Sequence, residues 1–143
     1  MSNLATAIRV ASVGFESKTD KAGEPYILHC LRVMNNLNTN DNELKAIAIL
    51  HDCVEDKVCT IQDLVNLKFS QRVIYAVIIL THDKEKDTYD EYIKKIAMDV
   101  DATKVKIADI KDNSDITRLK GLTKKDFDRM EKYNRSYVYL SKI

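Results

Sequence analysis

Six residues near the middle of the chain, His51-Asp52-Cys53-Val54-Glu55-Asp56, hold four ionisable groups. An adjacent His-Asp pair is followed one helical turn later by an adjacent Glu-Asp pair. At helical spacing, His51 and Asp52 share a face with Glu55 and Asp56. The run from Leu44 to Leu50 directly before them, apolar but for Lys45, reads as a buried helix. Ionisable groups at the end of such a helix are costly unless their charge is compensated. A divalent metal ion is the simplest compensation. Imidazole and carboxylate suit Mn, Fe, Zn or Ni, and spare carboxylates can hold or deprotonate the water that such an ion polarises. A solvated helix end would account for one pair of this kind. Four groups straight after Ala46-Ile47-Ala48-Ile49-Leu50 favour the functional reading.

Other residues of the same types carry less weight alone. His29 is a lone histidine on a helix, which is more often a core or surface residue than a ligand. His82-Asp83 repeats the dipeptide, but in a charged stretch from 82 to 87 with no carboxylate pair one turn on, and reads as a solvated loop. Lys106, Asp109 and Asn113 fall at i, i+3 and i+7, one polar stripe that Asp115 and Arg118 continue. An exposed charged face explains that stripe equally well.

The elements that must position these groups are helical. Apolar periodicity predicts helices over 4–15, with Leu4, Ile8, Ala11 and Phe15 on one face, and over 25–37, opened by Pro25 and packing Ile27, Leu31, Met34 and Leu37 inward. The Asn- and Asp-rich stretch 38–42 precedes a third helix over 41–54, which delivers the His-Asp pair. Thr60-Ile61-Gln62-Asp63 resembles a capping box and starts a short helix to about residue 68. The run 73–80 has strand propensity, but no other segment offers a partner strand, so 70–80 is assigned as a buried helix. Further helices are expected over 88–98 and 101–119. After a cap at Thr123, a last helix runs to 141, with Phe127, Met130, Tyr133, Tyr137 and Leu140 as a core stripe. The expected architecture is a single all-α domain over 1–143, a compact bundle of about eight helices.

Composition excludes several classes. The 143 residues suit one domain with one substantial core, and a formal charge of +1, from 23 basic and 22 acidic residues, argues against a nucleic-acid binder that works by bulk electrostatics. Three cysteines, Cys30, Cys53 and Cys59, form no CxxC and leave an odd thiol under full pairing, which points to a reducing compartment. No apolar run approaches the ~20 residues of a membrane span. The start, Met1-Ser2-Asn3-Leu4, lacks the basic-then-apolar layout of a signal peptide. A cytoplasmic protein with no nucleic-acid or membrane partner is expected.

Three separated stretches line up in order and spacing: Gly23-Glu24-Pro25-Tyr26-Ile27-Leu28-His29, then Leu50 to Asp56, then Lys106-Ile107-Ala108-Asp109-Ile110-Lys111-Asp112-Asn113. Together they resemble the HD superfamily of metal-dependent phosphohydrolases, and more narrowly the hydrolase domain of RelA/SpoT-type enzymes and their small single-domain bacterial and phage relatives. The resemblance covers nearly the whole chain. It implies one divalent ion per chain, Mn2+, held by His29, His51, Asp52 and Asp109. It implies that Glu55 and Asp56 position and activate the attacking water, and that Lys21, Lys106 and Asn113 contact the substrate. The implied reaction is removal of the 3′-pyrophosphate from ppGpp in the stringent response, giving GDP and pyrophosphate. Two positions depart from the family: Asp20 stands where it has an arginine that stacks on guanine, and Ile110 replaces an arginine after the aspartate ligand. Weak base selectivity is therefore expected, together with a gain from Asp20→Arg. An HD phosphohydrolase for another nucleotide or phosphate ester, and a non-catalytic nucleotide-binding module, are the competing readings; the latter has no need of the Glu55-Asp56 pair.

Overall fold

The computed structural model describes residues 3–143, so Met1 and Ser2 of the N-terminal stretch lie outside it. Eight α-helices are present among the described residues: α1 (Leu4–Gly14), α2 (Ile27–Asn36), α3 (Asn42–Leu50), α4 (Ile61–Asn66), α5 (Gln71–Leu80), α6 (Tyr89–Ile96), α7 (Val100–Asn113) and α8 (Lys124–Ser141). The all-α architecture matches the expectation, including α5. No helix among the described residues is long and apolar enough to cross a membrane.

The bundle is built around α3. Leu44 and every residue from Ala46 to Leu50 are buried, because α1, α2, α5 and α7 pack around this helix. From Ala46 to Leu50 the helix is apolar on all sides, so this part of its sequence shows no amphipathic period. Its start is held by Asp41, whose Oδ1 accepts the backbone N–H groups of Glu43 and Leu44 at 3.1 and 3.2 Å. Arg72 at the start of α5 bridges Asp41 and Asp101 at 2.7 and 2.8 Å, tying together the N-terminal ends of α3, α5 and α7. Capping boxes start α4 and α8, at Thr60 with Asp63 and at Thr123 with Asp126.

Four local expectations change. First, α3 stops at Leu50 rather than at residue 54, and residues 51–57 form turns. One helical bond survives, from the Asp56 N–H to the Asp52 carbonyl at 2.9 Å, so the His-Asp and Glu-Asp pairs remain one turn apart. Left-handed Lys57 (φ 62°) then reverses the chain. A Cβ on Gly14 would stand 2.7 Å from the Val58 Cβ, so this glycine lets α1 close against the loop. Second, α7 ends at Asn113, not at residue 119, because Asp115 caps a new 3-10 turn, Ile116–Arg118. Third, the innermost face of α2 is His29, Cys30 and Val33; the expected face, Ile27, Leu31, Met34 and Leu37, is half-buried. Contact with both α3 and α7 moves the buried stripe round the helix. Pro25 lies before α2 and pairs with Thr19 across a tight loop in which Gly23 has φ 84°. Fourth, Phe127 on α8 is 59 % exposed, while Leu140 is fully buried. Only part of the expected core stripe packs, because α8 covers one edge of the bundle.

Candidate active site

His29 from α2, His51 and Asp52 from the end of α3, and Asp109 from α7 converge. One ligand-type atom from each lies within 4.8 Å of those of the other three. His29 Nε2 is 2.9 Å and His51 Nε2 is 3.2 Å from Asp109 Oδ1. His51 Nε2 is also 3.0 Å from Asp52 Oδ2. The other ring nitrogens are occupied elsewhere. His51 Nδ1 lies 2.5 Å from the Ala48 carbonyl, which can only accept, so Nδ1 carries the proton and Nε2 faces the cluster. His29 Nδ1 donates in the same way to Asp112 Oδ2 at 2.6 Å. This is the arrangement that fixes a metal-ligating imidazole.

The donor set fits a divalent ion. Both imidazoles and Asp109 are buried. Burial pulls the His29 imidazole down, but bonds to Asp109 and Asp112 more than offset this and leave it raised. Burial likewise opposes the His51 charge, and Asp52 and Asp109 drive it well upward. Burial raises the Asp52 carboxyl, and the neighbouring His51 pulls it down to about 2. Asp109 is held well below the usual carboxylate range, against its burial, by Lys106 and His51. With Nδ1 of each histidine bonded elsewhere, two imidazole Nε2 atoms and two carboxylates face one another and make a suitable N/O set.

Glu55 and Asp56 line the same 220 Å³ cavity as Asp52 and Asp109. Glu55 Oε1 accepts the His82 backbone N–H at 2.8 Å, and Asp56 Oδ2 accepts Lys18 Nζ at 2.7 Å. The 82–87 segment, expected to be a solvated loop, therefore forms part of the site wall. The His82 ring stacks on Tyr92, with centroids 4.5 Å apart, and its Nε2 donates to the Asp87 carbonyl at 2.9 Å. His82 holds Glu55 in place and is not one of the four convergent ligand-type residues.

The three expected substrate contacts separate. Lys106 Nζ donates to Asp109 Oδ2 at 3.0 Å, and Asn113 Nδ2 donates to Asp109 Oδ1 at 3.1 Å, so both edge the metal-ligand cluster. Lys106 stays charged despite its burial, held up chiefly by Asp109. Lys21 lines a neighbouring cavity of 360 Å³ instead. Lys18, Tyr26, Asn113 and Tyr133 line both cavities.

Asp20 has a different role from the one its sequence position suggested. Its Oδ1 accepts the N–H groups of Ala22 and Glu24 at 2.9 and 3.0 Å, and its Oδ2 accepts Arg118 Nη1 at 3.1 Å. It caps the 20–24 turn and anchors Arg118 in the wall of the larger cavity. Ile110 is buried in the core. Sequence reading also missed Tyr26, whose hydroxyl donates to Asp52 Oδ2, and Asp112, which receives His29 together with Arg32 Nε at 2.7 Å. Asp112 lies three residues beyond Asp109, the spacing that places two side chains on one helix face. That was the available signal.

No family model and no curated protein matches the chain. Among solved structures it resembles one described as a metazoan ortholog of SpoT that hydrolyzes ppGpp and plays a role in starvation responses, with a TM-score of 0.82 and 23 % identity over 98 % of this chain and 85 % of that one. The two chains share one fold. In this chain the sequence-distant segments that carry His29, His51-Asp52 and Asp109 meet at the cluster.

Proposed function

We propose that this protein is an HD-type metal-dependent phosphohydrolase that removes the 3′-pyrophosphate from guanosine 3′,5′-bis(diphosphate), leaving GDP. The observation that carries the reading is the meeting of His29, His51, Asp52 and Asp109 in a cavity that also holds Glu55 and Asp56. The shared fold with a ppGpp hydrolase supports it. The four convergent residues would hold one divalent ion, Mn2+. When bound, such an ion polarises phosphoryl oxygen and lowers the pKa of the attacking water. Glu55, fixed by the His82 N–H, and Asp56, paired with Lys18, take the proton that this water loses. Lys106 and Asn113 meet the phosphate beside Asp109. The 360 Å³ cavity lined by Lys21 and Arg118 is large enough for the nucleoside end. Water adds to the phosphorus attached to the 3′-oxygen, the O–P bond breaks, and the nucleotide leaves with the proton held by the carboxylate. Three free buried thiols suit action in the reducing cytoplasm, within the stringent response.

A second reading, hydrolysis of another nucleotide or phosphate ester, is favoured by one observation. Asp20 is committed to its turn and to Arg118, and Ile110 to the core, so neither departure supplies a stacking cation. A non-catalytic binding module fits less well, because two carboxylates beside the cluster serve binding of an anion poorly.

Steady-state pyrophosphate release from guanosine and adenosine 3′-pyrophosphates in Mn(II) tests the reading. Release from both is expected, with weak base preference. Glu55→Gln and Asp56→Asn should retain metal and lose on the order of 10²–10⁴ in turnover. A metal-loaded wild type that ignores ppGpp but cleaves a different nucleotide would move the assignment to the second reading.

A further inference from the structure

The cavity beside the metal-ligand cluster is lined by groups of both charges. Its acids include Asp52, Glu55, Asp56 and Asp109, and its lysines are Lys18, Lys84, Lys106 and Lys132. Lys106 has a partner, Asp109 at 3.0 Å. Lys132, on α8, makes no ion pair with a carboxylate among the described residues. Its ammonium lies 4.4 Å from the centroid of the Tyr89 ring and 5.5 Å from that of Tyr133. Those rings recover part of what the charge loses on leaving water. They do not recover all of it: burial, followed by the like charges of Lys106, Lys84, Lys21 and Arg129, holds the Lys132 amine below its ordinary value. A half-buried cation among like charges gains from an anion brought beside it.

A second observation at the same wall points to the same ligand. The Tyr89 hydroxyl is buried and has no hydrogen-bond partner. Buried hydroxyls are nearly always paired, and Tyr89 lines this cavity. Tyr89 thus carries the Lys132 ammonium over its ring and an unpaired buried hydroxyl at its end. A phosphate oxygen can accept from both. Lys106 lies over the same Tyr89 ring, 5.9 Å from its centroid, so Lys106, paired with Asp109, and Lys132 share that ring.

We propose that Lys132, with the Tyr89 hydroxyl, seats the outer phosphate of a pyrophosphoryl group whose inner phosphate lies against Lys106 and the metal-ligand cluster, so that the site selects a diphosphate over a single phosphate. This deepens the hydrolase reading and rests on it for the location of the inner phosphate. The seat itself is an equilibrium binding site and can be measured without turnover. Lys132 is a binding residue. It does not touch the carboxylates assigned to proton transfer, and its loss should appear in KM before kcat.

The experiment is calorimetric titration of inorganic pyrophosphate and, separately, inorganic phosphate into the Mn(II)-loaded full-length chain. Wild type should bind pyrophosphate more tightly than phosphate. Lys132→Met should weaken pyrophosphate about tenfold and phosphate little, consistent with loss of one charge-assisted contact. Tyr89→Phe, which keeps the ring under the ammonium and removes only the unpaired hydroxyl, should weaken pyrophosphate by roughly threefold. Lys132→Arg keeps the charge and should retain most of the preference. It also serves as the control if Lys132→Met folds poorly. Equal pyrophosphate affinity in wild type, Lys132→Met and Tyr89→Phe would overturn the seat while leaving the hydrolase reading intact. Loss of the preference in Lys132→Met, in a protein that hydrolyses no nucleotide, would support the seat and overturn the hydrolase reading.

Discussion

Replacing Asp112 by Asn separates the residues that hold an ion from those that aim them. Asp112 is 5 % exposed and does not belong to the convergent set of four. Its Oδ2 receives His29 Nδ1 at 2.6 Å, and its Oδ1 receives Arg32 Nε at 2.7 Å. Both incoming groups are donors. An asparagine offers one acceptor oxygen and one NH2 group. If the oxygen stays with His29, the amide nitrogen confronts the Arg32 guanidinium; if it turns, His29 loses its acceptor. A buried donor left unsatisfied costs roughly 1–3 kcal/mol, and loss of an outer partner of a ligating histidine weakens metal by about 10–100-fold. That second factor is about 1.4–2.8 kcal/mol. Metal that binds only the folded state stabilises it by an amount that falls with the logarithm of its dissociation constant. At saturating Mn(II), the gap in melting temperature between Mn(II) and EDTA should therefore narrow by roughly 4–8 °C, at roughly 3 °C per kcal/mol for a domain of this size. The melting temperature in EDTA should itself fall by roughly 3–9 °C. Paired thermal scans, with Mn(II) competition against a chelating dye, give both quantities. A variant with the wild-type gap and wild-type Mn(II) affinity would show that Asp112 serves only Arg32 and Arg118, and would refute its role in aiming His29.

Three further substitutions probe the site. His51→Ala and Asp109→Ala each remove a convergent donor, so metal content on purification and the Mn(II)-dependent rise in melting temperature should both drop sharply, and full occupancy in both would refute the ligand set. Asp20→Arg, expected from sequence to improve substrate affinity, should instead lower stability by roughly 1–3 kcal/mol and leave KM no better. It removes the caps of the 20–24 turn and places a third guanidinium against Arg118 and Arg32; chemical denaturation and KM for ppGpp would show it, and a stable variant of lower KM would refute this account of Asp20.

The helical class and the outline of the candidate site were legible before any tertiary contact was known. Apolar periodicity, turn residues and the Thr60 and Thr123 caps are local signals, and local energetics decides where a helix can start. The density of charge after Leu50 was equally local: so many ionisable groups behind a wholly apolar run conflict with burial unless something compensates them. Helix ends were less legible. Where α3 stops goes with a left-handed turn at Lys57 and with the close approach of Gly14 to Val58, residues far apart in sequence. The face of α2 that carries His29 could not be chosen from its own pattern, because Ile27, Leu31 and Met34 are as apolar as Cys30 and Val33. Packing against α3 and α7 together made the choice. The roles of Asp20, Asp112, His82 and Lys132 were decided only in the tertiary structure. Each is a polar residue whose meaning depends on its partner, and those partners, Arg118, His29, Glu55 and Tyr89, lie from 27 to 98 residues away along the chain. A charged side chain reads the same in sequence whether it faces water, an ion pair or an unmet anion. Only the fold determines which of these it meets, and so what its charge costs.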